Sequence, residues 1–256
     1  MKEVFDQLAA RAATLGALLE PNQIQMFGRF CVDLAEYNAH TNLVSNSDPL
    51  VLLRDHILDS LTLVPLLRGH QFSRPTSSDD GCSLSLVDVG SGAGFPGFVL
   101  AIACPELSVT LVESIGKKAK FLEMVAGSLG LHNRVTVIND RAESLGRDAS
   151  WRETFLAGTA RAVGPVDVAA ELTLPLIRVG GFLLLQKSHA QLDDELTRAR
   201  LSLSALGAGD PRVVVPDAEA LGKQHVILVI EKTTTTASQF PRSPAAIKRH
   251  PLGGAR

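Results

Sequence analysis

The chain has 256 residues, with 25 Lys and Arg against 27 Asp and Glu, a formal net charge of -2, and 45% hydrophobic but 5% aromatic residues. This excludes a disordered, collagenous or coiled-coil chain, and the near-balanced charge by itself argues against a nucleic-acid partner. The longest apolar runs, FVLAIAC and LIRVGGFLLL, fall short of the ~20 residues of a membrane span, and MKEVFDQL lacks the apolar stretch of a signal peptide, so a cytoplasmic protein is expected.

Val4, Phe5, Leu8, Ala12, Leu15 and Leu19 recur at helical spacing and predict a first helix; Ile24, Phe27, Cys31 and Leu34 predict a second. Asp48 before Pro49 reads as the N-cap of a third, with Leu50, Leu53, Ile57 and Leu61 on one face. Together they form an N-terminal helical cap over residues 1–70, followed by a polar linker over 71–83 (QFSRPTSSDDGCS). From residue 84 the pattern changes to short β-rich runs, LSLVDVG, LSVTLVES, RVTVIND, GTARAVG and GGFLLLQK, most of them separated by helix-length segments. Their near-continuous apolar stretches suit strands buried on both faces, which predicts an α/β fold with a parallel sheet covered by helices. RVVVPD and HVILVIEK are expected to close the sheet as an antiparallel pair, giving a core over 84–232. The remaining segment, 233–256, holds Arg242, Lys248, Arg249 and Arg256 and no acidic residue, so the first 232 residues carry 21 basic against 27 acidic side chains. A basic tail on an acidic body is a means of reaching an anionic partner, and equally the composition of a solvated terminus.

Cys31, Cys82 and Cys104 form no CxxC pair and read as reduced thiols, while the seven histidines show no HxH or HExxH spacing, so no metal site is expected. The strongest chemical signal is LVDVGSGAGFPG. Gly90, Gly92 and Gly94 alternate with small residues between a strand ending near Asp88 and a helix starting around Phe95-Pro96. Glycines admit a ligand close to the backbone, and the helix start offers N–H donors. Two cofactors compete. Gly92 to Gly97 satisfies GxGxxG, the dinucleotide fingerprint, but two residues late relative to the strand. Asp88 two residues before the first of three alternating glycines suits S-adenosylmethionine better. Glu113, closing the second strand, can accept the hydroxyls of a ribose in either cofactor.

The chain resembles the RsmG family (glucose-inhibited division protein B) through YNAHTNLVS, RDHILDSL, VDVGSGAGFPG, SIGKKAKFL, NDRAESL and TARAV. The resemblance implies a class I AdoMet-dependent methyltransferase, a Rossmann-like sheet with the helical cap, which methylates N7 of guanine 527 of bacterial 16S rRNA. Carried onto this sequence, it implies cofactor contacts at Gly90, Phe95, Glu113, Ser114, Ala142, Glu143 and Arg161, beside Asp88 and Gly92 from the loop itself. It gives the basic FPRSPAAIKRHPL tail a job as an RNA-facing arm, although Ala245-Ala246 stand where Gly-Thr is usual and Ser188 replaces a usual glycine. Guanine N7 has a lone pair and no proton, so the chemistry needs positioning and no general base. Arg161, among Ala160 and Ala162, must pair or face a cleft, and its planar fork could orient the guanine. Candidate RNA contacts are Lys117, Lys118, Lys187, Arg242, Lys248 and Arg249; Lys120 belongs to the same basic helical turn as the first two. His56 reads as a packing residue, Asp59 and Ser60 as hydrogen-bonding groups at the cap–core junction, and Asn38 and Asn42 as turn formers. The expected substrate is 16S rRNA or the small ribosomal subunit, including an assembly intermediate, and the expected state a monomer. A methyltransferase for a small molecule or protein, an NAD-dependent oxidoreductase and a noncatalytic nucleotide-binding module remain alternatives.

Overall fold

The computed structural model describes residues 2–69, 84–189 and 192–254. The segment 71–83, read as a linker, and Cys82 within it lie outside them.

Seven strands form one sheet in the order β3-β2-β1-β4-β5-β7-β6. These are β1 (Leu84–Val89), β2 (Leu107–Val112), β3 (Val135–Ile138), β4 (Phe155–Thr159), β5 (Ile177–Ser188), β6 (Arg212–Val214) and β7 (His225–Glu231). The first five run parallel, whereas β7 pairs antiparallel with both β5 and β6. The late antiparallel pair expected from sequence is therefore present, with β7 inserted between β5 and β6. Side chains alternate between the two faces. Leu86, Val109 and Leu184 pack with the cap on one side, and Val87, Val89, Leu183 and Leu185 pack with later helices on the other.

The cap begins with α1 (Lys2–Thr14) and α2 (Pro21–Thr41). Helix α1 stops short of the predicted stripe ending at Leu19, because Gly16 turns left-handed at φ 81° and Ala17 N–H bonds back to the Ala12 carbonyl. Asn38 shapes the turn after α2: its Oδ1 accepts from Leu43 and Val44 N–H, while Asn42 sits in the left-handed region. The Asp48 side chain caps α3 (Pro49–Val51) by accepting from Leu50 and Val51 N–H. The rod then widens into a π-helical turn over Leu52–Ile57 before α4 (Leu58–Leu61) and α5 (Val64–Gly69). That wide turn shifts the register of the expected stripe. Leu53, Ile57 and Leu61 are buried, joined by Leu52 and Leu58, while Leu50 is exposed.

Helices α6 (Gly97–Ala103) and α7 (Gly116–Ser128) follow β1 and β2. The short α8 (Ala142–Leu145) precedes β4, α9 (Val166–Thr173) follows it, and α10 (Leu192–Ala205) follows β5. Strand β4 ends before the predicted TARAV stretch does, because Ala162 adopts φ 58° and turns the chain out of the sheet. This places Arg161 just past the strand end. Two short helices complete the chain, α11 (Ala218–Leu221) before β7 and α12 (Pro244–Arg249) in the basic tail.

Candidate functional site

The carboxyl ends of β1 to β4 meet around a cleft of about 140 Å³, lined by Gly90, Ser114, Ala142 and Glu143 together with Val89, Val112, Asp140, Arg141, Val163 and Leu172. The volume is below the ~300–1,000 Å³ of pockets that enclose a whole ligand, so it receives one end of one. Ala142 and Glu143 open α8, where a carboxylate also complements the helix dipole. Asp140 and Arg141 were not singled out from sequence; the only signal was their adjacency to Ala142-Glu143 within NDRAESL.

The glycine loop is braced from behind. Gly90, Gly92 and Gly94 all have positive φ. Glu113 is buried, its Oε2 accepting from Gly92 N–H at 3.0 Å and its Oε1 from Ile115 N–H at 2.7 Å. Each oxygen retains acceptor capacity for a hydroxyl. Asp88 needs a correction: expected at the cofactor, it has no exposed surface and instead anchors the start of α6, accepting from Gly97 N–H at 3.1 Å. A Cβ on Gly97 would stand 2.2 Å from Leu111 Cδ2 and 2.7 Å from Asp88 Oδ2, so glycine is required there.

Burial pushes the Asp88 carboxyl up to about 7, against the opposing pull of its Gly97 hydrogen bond. With the folded value above the unfolded one, its contribution to stability is complete below about pH 4 and is lost as pH rises through about 7. Stability relative to an Asp88→Asn chain is therefore expected to fall by up to about 1.4 kcal/mol per pH unit across that window. Urea unfolding of both chains at pH 5 and pH 7.5 checks this; a difference independent of pH would contradict it.

Beside the loop, a polar cluster joins cap to sheet. Arg161 Nη1 lies 3.3 Å from Asp59 Oδ2, its Nη2 donates to His56 Nδ1, and its guanidinium lies over the Phe95 ring, 5.2 Å from the centroid. His56 also stacks on Phe95, with ring centroids 4.9 Å apart. Burial, with Arg161 and Lys223 nearby, pushes the His56 imidazole down to about 4, which suits an acceptor nitrogen facing a guanidinium. Asp59 is also reached by His225 Nδ1 at 3.0 Å and Lys223 Nζ at 3.4 Å, while its backbone carbonyl accepts from Gln186 Nε2 at 2.6 Å. Burial alone would raise the Asp59 carboxyl; the His225 hydrogen bond and the Lys223 and Arg161 charges outweigh it and hold it below its ordinary value. Asp59 thus bridges cap and core as expected, whereas Ser60 bonds only within its own helix, to the His56 carbonyl. Lys223 and His225 were missed from sequence, since nothing in KQHVILVIEK marks them as more than the lead into a strand.

The basic candidates divide. Lys117, Lys248 and Arg249 are exposed and Lys118 half-buried. Lys187, at the end of β5, and Arg242 are both ion-paired within the protein. Lys187 Nζ is 2.9 Å from Glu195 Oε2 and 2.7 Å from the Gly164 carbonyl, where it clamps α10 to the start of α9. Arg242 makes a two-pronged pair with the buried Glu171 on α9, through Nε at 2.8 Å and Nη2 at 2.6 Å, and its backbone N–H also donates to Glu171. One turn away on α9, Asp167 Oδ2 accepts from Gly253 N–H. Arg152 and Arg147 bond the carbonyls of Thr236, Ala237, Phe240 and Pro241, and fully buried Lys232 pairs with Glu153. The described part of the tail is therefore folded onto the core and is not an extended arm. Arg249 and His250, with Leu201 and Leu252, line an open groove of about 810 Å³ on that side, none of them among the residues lining the cleft.

Among the described residues, no group of three or more His, Cys, Asp or Glu is placed to hold a metal ion, and no helix is long and apolar enough to cross a membrane. Residues 23–225 match the family model GidB, rRNA small subunit methyltransferase G. The ribosomal RNA small subunit methyltransferase G of Roseiflexus castenholzii (strain DSM 13941 / HLO8) is 39% identical over 251 residues, covering 97% of this chain and all of that protein. The one from Desulfitobacterium hafniense (strain Y51) is 34% identical, covering 91% of each chain. The fold is similar to the cofactor-bound crystal structure of Rv0187 from MTB, with a TM-score of 0.52 at 15% identity over 82% of this chain and 91% of that one.

Proposed function

Since the chain belongs to the rRNA small subunit methyltransferase G family, we propose that it transfers a methyl group from S-adenosylmethionine to N7 of a guanine in 16S rRNA, guanine 527 by family resemblance. The observation that carries this reading is the convergence of Gly90, Ser114, Ala142 and Glu143 on one cleft at the carboxyl ends of the parallel strands, where open α/β sheets bind ligands. The antiparallel β7 between β5 and β6 departs from the dinucleotide-binding order 3-2-1-4-5-6 and favours this cofactor over NAD.

The residues present fit the cofactor. Glycine backbone at Gly90 and Gly92 admits close approach, Glu113 keeps lone pairs for ribose hydroxyls, and Ala142 with Glu143 forms the wall suited to an adenine edge. When bound, S-adenosylmethionine supplies an electrophilic methyl group. The work left to the protein is orientation: guanine N7 attacks through a lone pair and loses no proton in the step. Arg161, with His56 and Asp59 accepting from two of its nitrogens, is a preset donor that can hold guanine O6 or an adjacent phosphate while the N7 lone pair stays free to attack. Lys117, Lys118, Lys248 and Arg249 are assigned to RNA phosphates, and the helical cap is assigned as a unit packed against the catalytic core through one shared hydrophobic cluster.

The test is methyl transfer from labelled S-adenosylmethionine to deproteinised 16S rRNA and to small subunits, mapped by strand cleavage at 7-methylguanine. A single modified guanine is expected. Absence of transfer to both substrates, or transfer to another base atom, would overturn the proposal.

A further inference from the structure

Around Asp59 the charges do not balance. One carboxylate, 4% exposed at its side chain, faces the guanidinium of Arg161, the ammonium of Lys223 and the ring of His225, whose side chains retain 18%, 24% and 30% exposure. The neighbouring Asp55 gives Lys223 no direct ion pair, because Arg54 occupies both its carboxylate oxygens at 2.8 and 3.0 Å, and its charge reaches Lys223 only through space. Lys223 reaches only the backbone carbonyl of Asp55, at 3.1 Å. Two full cations thus share one directly paired carboxylate in a partly desolvated setting, with Asp55 and Asp88 acting only through space, and surplus charge there is costly unless an anion completes it.

The placement says which anion. Lys223 and His225 lie between α11 and the first residue of β7, and the π-helical turn carrying His56 lies opposite; Arg161 joins this group to Phe95 and the glycine loop. His225 meets Asp59 at Nδ1, which leaves Nε2 to donate to an anion when the ring carries both protons. A nucleotide whose base is presented to Arg161 carries a phosphodiester on each side, and a base acted on by an enzyme must be drawn out of its stack with its backbone held. We propose that Lys223 and His225, fixed by Asp59, form the seat for a phosphodiester flanking the target nucleotide, so that the substrate phosphate supplies the missing negative charge. This rests on the methyltransferase reading of the adjacent cleft and adds two substrate-contacting residues to it.

A charge series at one position tests it: Lys223→Arg, Lys223→Gln and Lys223→Glu, each assayed for binding of 16S rRNA at several salt concentrations, for S-adenosylmethionine affinity and for melting temperature. RNA affinity is expected to follow Lys and Arg, then Gln, then Glu. The slope of log affinity against log salt should shrink by about 0.7–0.9 at Gln, one phosphate contact, with cofactor affinity unchanged. His225→Ala should weaken RNA binding in the same direction, which keeps the test open if one variant at Lys223 melts early. An unchanged salt slope across the series, with the unsubstituted chain binding and methylating RNA, overturns this inference alone. An unsubstituted chain that neither binds nor methylates the RNA overturns the proposed function, and this inference with it.

Discussion

Arg242→Ala is expected to destabilise the protein by about 3 kcal/mol, the lower end of the cost of breaking a buried ion pair. Glu171 is 1% exposed at its side chain, and truncation of Arg242 strips it of both charged hydrogen bonds while leaving only the backbone N–H of residue 242. Arg242 itself is 24% exposed, which is why the upper end of that range does not apply. For a chain of this size the loss corresponds to roughly 2–4 °C of melting temperature per kcal/mol. Binding of S-adenosylmethionine should weaken alongside, because Leu172, the next residue on α9, lines the cleft. Arg242→Lys should recover only part of the loss, since an ammonium cannot reproduce the two-pronged geometry. Thermal melts with and without cofactor decide the matter. An unchanged melting temperature combined with weaker RNA binding would return Arg242 to the RNA surface, where the composition of the tail first placed it.

Arg161→Ala is expected to lower kcat for rRNA methylation by about 10²-fold, the scale of losing one positioning contact in a reaction that depends on alignment. The fold should persist, because Asp59 keeps Lys223 and His225 as partners. The affinity for S-adenosylmethionine should change little, since Arg161 does not line the cleft formed by Gly90, Ser114, Ala142 and Glu143. Arg161→Lys should not rescue turnover, because a single ammonium lacks the fork that engages His56, Asp59 and the substrate together. Single-turnover kinetics with saturating cofactor separate these effects. Normal turnover with weakened cofactor binding would move Arg161 from the substrate to the cofactor.

The two expectations stand in contrast in how visible their residues were. Arg161 could be suspected from its neighbours alone, as a charge at the end of an apolar strand. Arg242 was read with its neighbours as one more basic residue of a tail, and its partner Glu171 lies 71 positions away in a helix that had drawn no notice. Lys187 ends its strand as read, but its partner Glu195, on the following helix, could not be named from the strand alone. Lys223 and His225 were missed because their significance depends on Asp59, more than 160 positions earlier.

What the sequence determined by itself is whatever depends on near neighbours. Strand alternation, the Asp48 cap, the Asn38 turn and the glycine loop each follow from steric and hydrogen-bonding preferences acting over a few residues. The parallel class of the sheet followed from runs buried on both faces. Only the tertiary structure decided which charges are satisfied within the protein and which are left for a ligand. A charge's cost depends on its burial and on the partners brought to it across the chain, and neither quantity is a property of local sequence. The basic tail illustrates the difference: its composition pointed outward to RNA, whereas the carboxylates of α9 draw Arg242 inward and leave Lys248 and Arg249 exposed.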